Sequence, residues 1–153
     1  MTVEKVLEKV KSYRTRHVCV TGGEPLLQKE SLGLMKTLCD MGYIVSLETS
    51  GSKSCSEVDP RVKIILDIKT PDSGAPNSFD FSNLRYILES TEIKFVICSD
   101  DDLRWAEKFS RQYDLFKKCQ VLYSPSYGKI KEQWLAEKIL ELKTEARMQL
   151  QIH

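Results

Sequence analysis

Apolar residues along this chain fall into two alternating patterns. Short runs rich in Val and Ile, bounded by Gly, Pro, Ser or Asp, cover residues 17–20, 43–47, 62–68, 93–98, 120–123 and 148–152, and each predicts a β-strand. Between them, apolar positions recur at the i, i+3, i+4, i+7 spacing of a helix face. Val3, Val6, Leu7 and Val10 mark one helix, and Ser31, Leu34, Met35 and Leu38, with Met41 a turn on, mark the next. Leu84, Ile87 and Leu88 predict a shorter helix. Leu103, Ala106 and Phe109 predict another, entered from Ser99 and the acids Asp100, Asp101 and Asp102, whose charges suit a helix N-terminus better than a cation site. Trp134, Leu135, Ile139 and Leu142 mark the last. Strands alternating with helices, several of them apolar on both faces, predict an α/β fold with a mostly parallel sheet of about six strands. The polar stretch 70–83 reads as a surface loop, and with no linker or low-complexity tract the whole of 1–153 reads as one domain.

Small, polar and acidic residues cluster directly after the strands: Thr21-Gly22-Gly23-Glu24-Pro25, Glu48-Thr49-Ser50-Gly51, Asp67-Ile68-Lys69-Thr70, Ser99-Asp100 and Ser124-Pro125-Ser126. In parallel α/β architectures such loops converge on the carboxyl edge of the sheet, where ligands bind. One loop of this kind needs no more explanation than turn formers and helix caps, but the repetition, with Glu, Asp or Lys close behind apolar strands, predicts a binding rim. Gly22 and Gly23 let the backbone turn sharply and approach a ligand with no Cβ in the way. The Glu24 carboxylate beside strand-end carbonyls makes an acceptor-rich corner suited to an ammonium group, and Pro25 fixes the chain as it enters the next helix. By composition alone the same five residues serve equally as a plain strand-to-helix turn.

Charge narrows the function classes. The 153 residues carry 23 Lys and Arg against 22 Asp and Glu, a net charge of +1, which disfavours a basic nucleic-acid clamp. No apolar run approaches the roughly 18 residues of a membrane span, and the first residues lack a signal-peptide core. The cysteines at 19, 39, 55, 98 and 119 are odd in number and widely spaced, which suits a reduced, cytoplasmic setting. Cys19 and Cys98 in apolar strands and Cys39 in an apolar helix read as small buried hydrophobes. Cys55 and Cys119 fall in loops or at element edges. His17 reads as a surface residue, Lys9, Lys11, Arg14 and Arg16 as a solvated face, and Trp105 and Trp134 as packing.

Thr21-Gly22-Gly23-Glu24-Pro25 resembles the SAM-binding motif of radical SAM enzymes. The succession Leu47-Glu48-Thr49-Ser50-Gly51, Asp67 to Gly74, Lys94-Phe95-Val96-Ile97, Tyr123 to Gly128 and Gln149-Leu150-Gln151-Ile152-His153 is similar to the 7-carboxy-7-deazaguanine synthase family of queuosine biosynthesis, over nearly the whole chain. The resemblance implies a partial (β/α) barrel that binds SAM, a [4Fe–4S] cluster and Mg²⁺. It implies ring contraction of 6-carboxytetrahydropterin to 7-carboxy-7-deazaguanine with loss of ammonia, in an enzyme commonly dimeric. Carried over by position, Gly22, Gly23 and Glu24 belong to the SAM site, with Gly23 and Glu24 holding its methionyl end; Asp67, Ile68 and Lys69 line its sugar or carboxylate side, and Tyr123, Ser124, Pro125 and Ser126 lie near the nucleoside. Thr21 and His153 fall to the pterin.

One part of the pattern is not met. The family's three-cysteine cluster loop has no counterpart among the five cysteines, and three thiolates are what anchor such a cluster while leaving one iron open. The resemblance therefore implies a chain whose first βα unit is incomplete and which lacks the cluster and Mg²⁺ ligands, so that alone it is expected not to cleave SAM reductively. Two other readings stay open. One is a cluster-free SAM- or pterin-binding module or partner subunit without catalysis; the other is a SAM-independent α/β enzyme using Glu24, Glu48 and Lys69 as acid–base groups.

Overall fold

A computed structural model of the protein describes residues 2–75 and 78–151. The strands are β1 (His17–Val20), β2 (Ile44–Thr49), β3 (Lys63–Asp67), β4 (Glu92–Ile97), β5 (Gln120–Pro125) and β6 (Arg147–Met148). The helices are α1 (Val3–Ser12), α2 (Ser31–Asp40), α3 (Asp100–Gln112), α4 (Leu115–Lys118) and α5 (Glu132–Leu142), with 3₁₀ turns at Pro25–Leu27, Pro71–Ser73 and Phe81–Tyr86. All strand pairs are parallel, and the sheet order follows the chain, β1-β2-β3-β4-β5-β6, without closing. This is the parallel α/β sheet of six strands expected from the alternating pattern, left open as the resemblance to a partial barrel implies.

Alternation along the strands sorts the two faces of the sheet. Val45 and Leu47 of β2, Ile64 and Leu66 of β3, and Ile93, Phe95 and Ile97 of β4 are buried in the two apolar clusters that the helices complete. Met35 and Leu38 of α2, with Leu7 and Val10 of α1, pack over β1 and β2. Leu103, Ala106 and Phe109 of α3, Leu115 of α4 and Leu135 of α5 pack over β3 to β5, where Trp105 and Trp134 also lie against the core. Phe95 is wholly buried and meets Trp105, Phe109 and Tyr123 at centroid distances of 6.0, 5.9 and 6.1 Å. Its removal to Ala would cost about 3–5 kcal/mol, the usual value for a core aromatic. The intervening residues, Glu48, Asp67, Lys94 and Val96 among them, face the other way and line an open cavity.

Several details depart from the expected pattern. The helix expected at 84–88 is a 3₁₀ turn over Phe81–Tyr86, started by the Asp80 carboxylate, which accepts from the Ser82 N–H. The short α4 went unpredicted, because a single turn shows no periodicity. Among the described residues β6 pairs at Arg147 and Met148 rather than along the expected run from 148, whose last residue, Ile152, lies outside them. Cys19 is exposed, not a buried hydrophobe, because the period of two places it on the face opposite Val18 and Val20. The outer edge of β1 pairs with no strand among the described residues. No helix among them is long and apolar enough to cross a membrane.

Candidate functional site

The carboxyl ends of β1 to β5 open into a cavity of about 620 Å³. Its floor is charged. The Asp67 Oδ2 oxygen lies 3.0 Å from the Lys69 ammonium and 3.6 Å from that of Lys94, and Lys94 is the more buried of the two cations. The other oxygen, Oδ1, is buried without a hydrogen-bond donor among the described residues. Glu48 reaches across to Thr21, whose hydroxyl donates to it at 3.4 Å. Thr70, Ser73, Cys98, Ser126, Lys129 and Gln151 complete the lining. Two carboxylates, three ammonium groups and several hydroxyls therefore surround a space large enough for a nucleoside-sized ligand.

Behind Thr21 a second cavity, of about 420 Å³, is bounded by Val3 and Val6 of α1, Leu34 of α2 and the Gly22-Gly23-Glu24-Pro25 turn; Thr21 lines both spaces. Gly22 and Gly23 have φ of +102° and +34°, and no atom lies within 4 Å of where their Cβ atoms would stand. They are glycines for the sake of the turn, and the space above them is open. Glu24 is spoken for within the protein. Its carboxylate accepts from the Thr49 hydroxyl at 2.8 Å, the Ser50 hydroxyl at 2.6 Å, the Ser50 N–H at 3.1 Å and the Leu26 N–H at 3.1 Å. Burial alone would raise its pKa; the donors of Ser50, Thr49 and Leu26 outweigh that and hold the carboxyl below its ordinary value. So the Glu24 carboxylate expected to meet a ligand ammonium binds the β2 loop to the β1 loop instead, and a ligand there meets what acceptor capacity Glu24 has left.

The other residues singled out from sequence are brought together only in part. Asp67, Lys69 and Ser126 line the larger cavity with Thr21. Ile68 borders it, while its side chain is buried in the core. Tyr123 points away from the rim: it is fully buried on the helix side of the sheet, and its hydroxyl donates to Glu107 of α3. Ser124 and Pro125 are buried too, so of that quartet Ser126 alone reaches the cavity. His153 lies outside the described residues. Lys94, Thr70, Ser73, Lys129 and Gln151 line the cavity without having been assigned a site role from sequence. Lys94 carried a signal, a charge between Ile93 and Phe95 in a strand that is otherwise apolar after Glu92.

The cysteines are dispersed. Cys19 lies on β1 and Cys39 on α2, Cys55 is buried after β2, Cys98 lines the cavity after β4, and Cys119 precedes β5. Among the described residues no three or more His, Cys, Asp or Glu side chains come together as a metal set.

No protein-family model matches the chain. Two solved structures share its fold: Streptococcus suis SuiB bound to S-adenosylmethionine, with a TM-score of 0.62 and 15% identity over 97% of this chain and 40% of that one, and SuiB bound to precursor peptide SuiA, with a TM-score of 0.67 over 97% and 41%. The chain is thus an open parallel α/β barrel with a charged cavity at its carboxyl edge. By sequence it is similar to 7-carboxy-7-deazaguanine synthase of Chlorobaculum tepidum, 38% identical over 100% of this chain and 71% of that protein. Those of Methanospirillum hungatei, at 38% over 100% and 64%, and of Clostridium acetobutylicum, at 32% over 100% and 72%, are similar as well. The chain belongs to the 7-carboxy-7-deazaguanine synthase family, and it spans 64–72% of the length of these three relatives.

Proposed function

We propose that the chain forms the SAM- and pterin-binding part of a 7-carboxy-7-deazaguanine synthase, a radical SAM carbon–nitrogen lyase that contracts 6-carboxytetrahydropterin with loss of ammonia in the cytoplasm. One observation carries this reading. A single cavity at the carboxyl edge unites Thr21, Asp67, Lys69 and Ser126, drawn from three separate strand ends of a sequence that matches the family from end to end.

SAM fits what is there. Its methionyl end carries a carboxylate, an ammonium and a sulfonium, and the cavity offers Lys69 and Lys129 to the first and the carboxylates of Asp67 and Glu48 to the others, in place of the Gly23–Glu24 corner, whose carboxylate is already engaged. Where it is bound, SAM supplies the 5′-deoxyadenosyl group for hydrogen abstraction. Lys94 allows Lys69 to serve: when Lys69 turns from Asp67 to a ligand carboxylate, the second ammonium keeps Asp67 paired, so no carboxylate is left uncompensated on the cavity floor. The open glycine turn lets the ligand lie close to main chain, and the Thr21–Glu48 pair presents both a donor and an acceptor to the edge of a pterin.

The [4Fe–4S] cluster does not fit this chain's own cysteines, which lie on separate elements, and the described residues offer no Mg²⁺ ligand set. Neither group is assigned to any of these residues. A cluster-free binding module built on the same rim is the reading that the cysteine placement favours in second place. A homodimer with a small molecule as the only ligand suits both.

Titration calorimetry with SAM, on the chain and on Lys69→Met, tests the binding reading. Micromolar binding weakened about tenfold or more by the substitution is expected, the loss of one charge-assisted contact. No binding by the unaltered chain would sink it. Anaerobic reconstitution with iron and sulfide separates enzyme from module: no retained absorbance near 400 nm is expected, and a stable cluster that yields 5′-deoxyadenosine would overturn the assignment of the cysteines as non-ligands.

A further inference from the structure

Asp102 holds a carboxylate that neither the core nor the ligand accounts for. It sits in the first turn of α3 with 0% of its surface exposed. A charge is tolerated there only when hydrogen-bonded, and Asp102 has three donors: the Thr70 hydroxyl at 2.9 Å, the Asp72 N–H at 3.0 Å and the Cys98 N–H at 3.0 Å. None belongs to its own helix. Thr70 and Asp72 lie on the loop after β3, the loop that carries Lys69, and Cys98 directly follows β4. Thr70 and Cys98 both line the cavity.

The ordinary duties of an acid in a first helical turn are filled by its neighbours. The helix cap is Ser99, whose hydroxyl oxygen accepts from the Asp102 N–H at 3.1 Å, and Asp100 and Asp101 already place negative charge at the helix start. What remains for the Asp102 carboxylate is to bolt two rim loops to one helix end. A second bolt runs beside it, the Ser99 hydroxyl donating to the Asp72 carboxylate at 2.6 Å.

We propose that Asp102 is a positioning residue for ligand binding: from behind the sheet it sets the place of the 69–73 loop, and through that loop the reach of Lys69 into the cavity. The inference rests on the reading of the cavity as a SAM site. Without the carboxylate, the Asp72 and Cys98 N–H groups are left inside the protein with no acceptor, and the loop has to move to rehydrate them.

The test combines Asp102→Asn, which keeps shape and one acceptor, Asp102→Ala, and Thr70→Val, which removes one donor from the other side. SAM affinity is measured by calorimetry, and hydrogen exchange follows the amides of residues 69–73 and 98. Asp102→Ala is expected to weaken SAM at least about tenfold, with Asn and Val intermediate, and exchange to speed up at 69–73 and 98 while the amides of β2 and α2 stay as they were. In a Lys69→Met background the same Asp102→Ala change is expected to cost less than about twofold, because the loss passes through Lys69. Undiminished SAM binding by Asp102→Ala, or an equal loss with and without Lys69, would show a purely structural residue. Should the unaltered chain bind no SAM, the site reading fails by itself; the exchange arm then decides, since a uniform rise across the sheet overturns the loop-setting role and a rise confined to the two loops upholds it.

Discussion

The Tyr123 hydroxyl donates to Glu107 at 2.8 Å, and the same carboxylate oxygen accepts from the Thr144 hydroxyl at 2.8 Å. A mid-strand residue of β5, the third turn of α3 and the turn into β6 are thus tied at one buried point, which Arg111 completes by pairing with the other oxygen at 2.6 Å. Burial first, then the Glu107 charge and hydrogen bond, push the phenol far above its ordinary range, so Tyr123 stays a donor at every physiological pH. Tyr123→Phe should lower stability by about 1–2 kcal/mol, since Glu107 loses a buried donor. SAM affinity should stay within about twofold, because the ring packs on the helix side of the sheet. Urea unfolding and calorimetry on one preparation check both halves.

Glu24 gives a pH signature. Its carboxyl is held below the ordinary value in the folded protein, so its contribution is complete above the unfolded pKa of about 4.3 and is lost as the pH falls through the lower folded value. Glu24→Gln is expected to cost about 1 kcal/mol near neutral pH, modest because the site is partly hydrated. That cost should shrink below about pH 4 as the wild-type carboxyl takes up a proton. Denaturant midpoints for both proteins across the acid range measure the difference; a cost unchanged down to the lowest pH would show that the charge is not what braces the loops.

Gly51 and Gly23 should respond differently to alanine. At Gly51, with φ of +68°, a Cβ would stand 2.7 Å from two ring carbons of Phe79 and 3.1 Å from a methyl of Leu66. Phe79 is locked edge-on against Phe81 and Phe109 and cannot simply withdraw. Gly51→Ala therefore pays both strain and overpacking, about 2 kcal/mol or more. Gly23→Ala meets open space and pays for conformation alone, about 1 kcal/mol. Thermal melts of the two variants should rank them in that order.

The thiols should separate by modification rate. Cys19 is exposed on the sheet face opposite the core. Burial, with Glu24 and Asp80 adding their charges, pushes Cys55 up to about 11, and burial likewise pushes Cys119 up to about 11. Under brief alkylation near neutral pH, Cys19 should be labelled first and Cys55 and Cys119 only after denaturation, because the thiolate is the reacting species. Peptide mapping by mass spectrometry reads the order directly.

How much of this could be read from the sequence differs from element to element. The run Ile64 to Ile68 names β3 and the rim behind it, because apolar strands and polar strand ends follow from local chemistry. The alternation around Lys94 likewise marks an inward charge. Tyr123 was beyond that reasoning: Val121, Leu122 and Tyr123 are all buried, so β5 carries no alternation from which to tell which side chains turn to the rim. Glu24 and Asp102 show the other limit. Both look like residues of a turn or a cap, and in both the carboxylate works on a loop that is distant in sequence, which only the packing of parallel strands brings within 3 Å or so.

The order of the sheet has a consequence for how the chain acquires its structure. Each strand pairs with the one made just before it, and the widest step in register, from Glu92 to Gln120, is one βα repeat. Among the described strands no pairing waits for a distant segment, so the loop-closure cost of each addition is small and the sheet can grow in the direction of synthesis. The rim is then assembled in turn: Glu24 finds Thr49 and Ser50 once β2 is laid down, and the Lys69 loop is bolted only when α3 arrives with Asp102. The cavity at the carboxyl edge is therefore expected to close only after most of its own walls are in place.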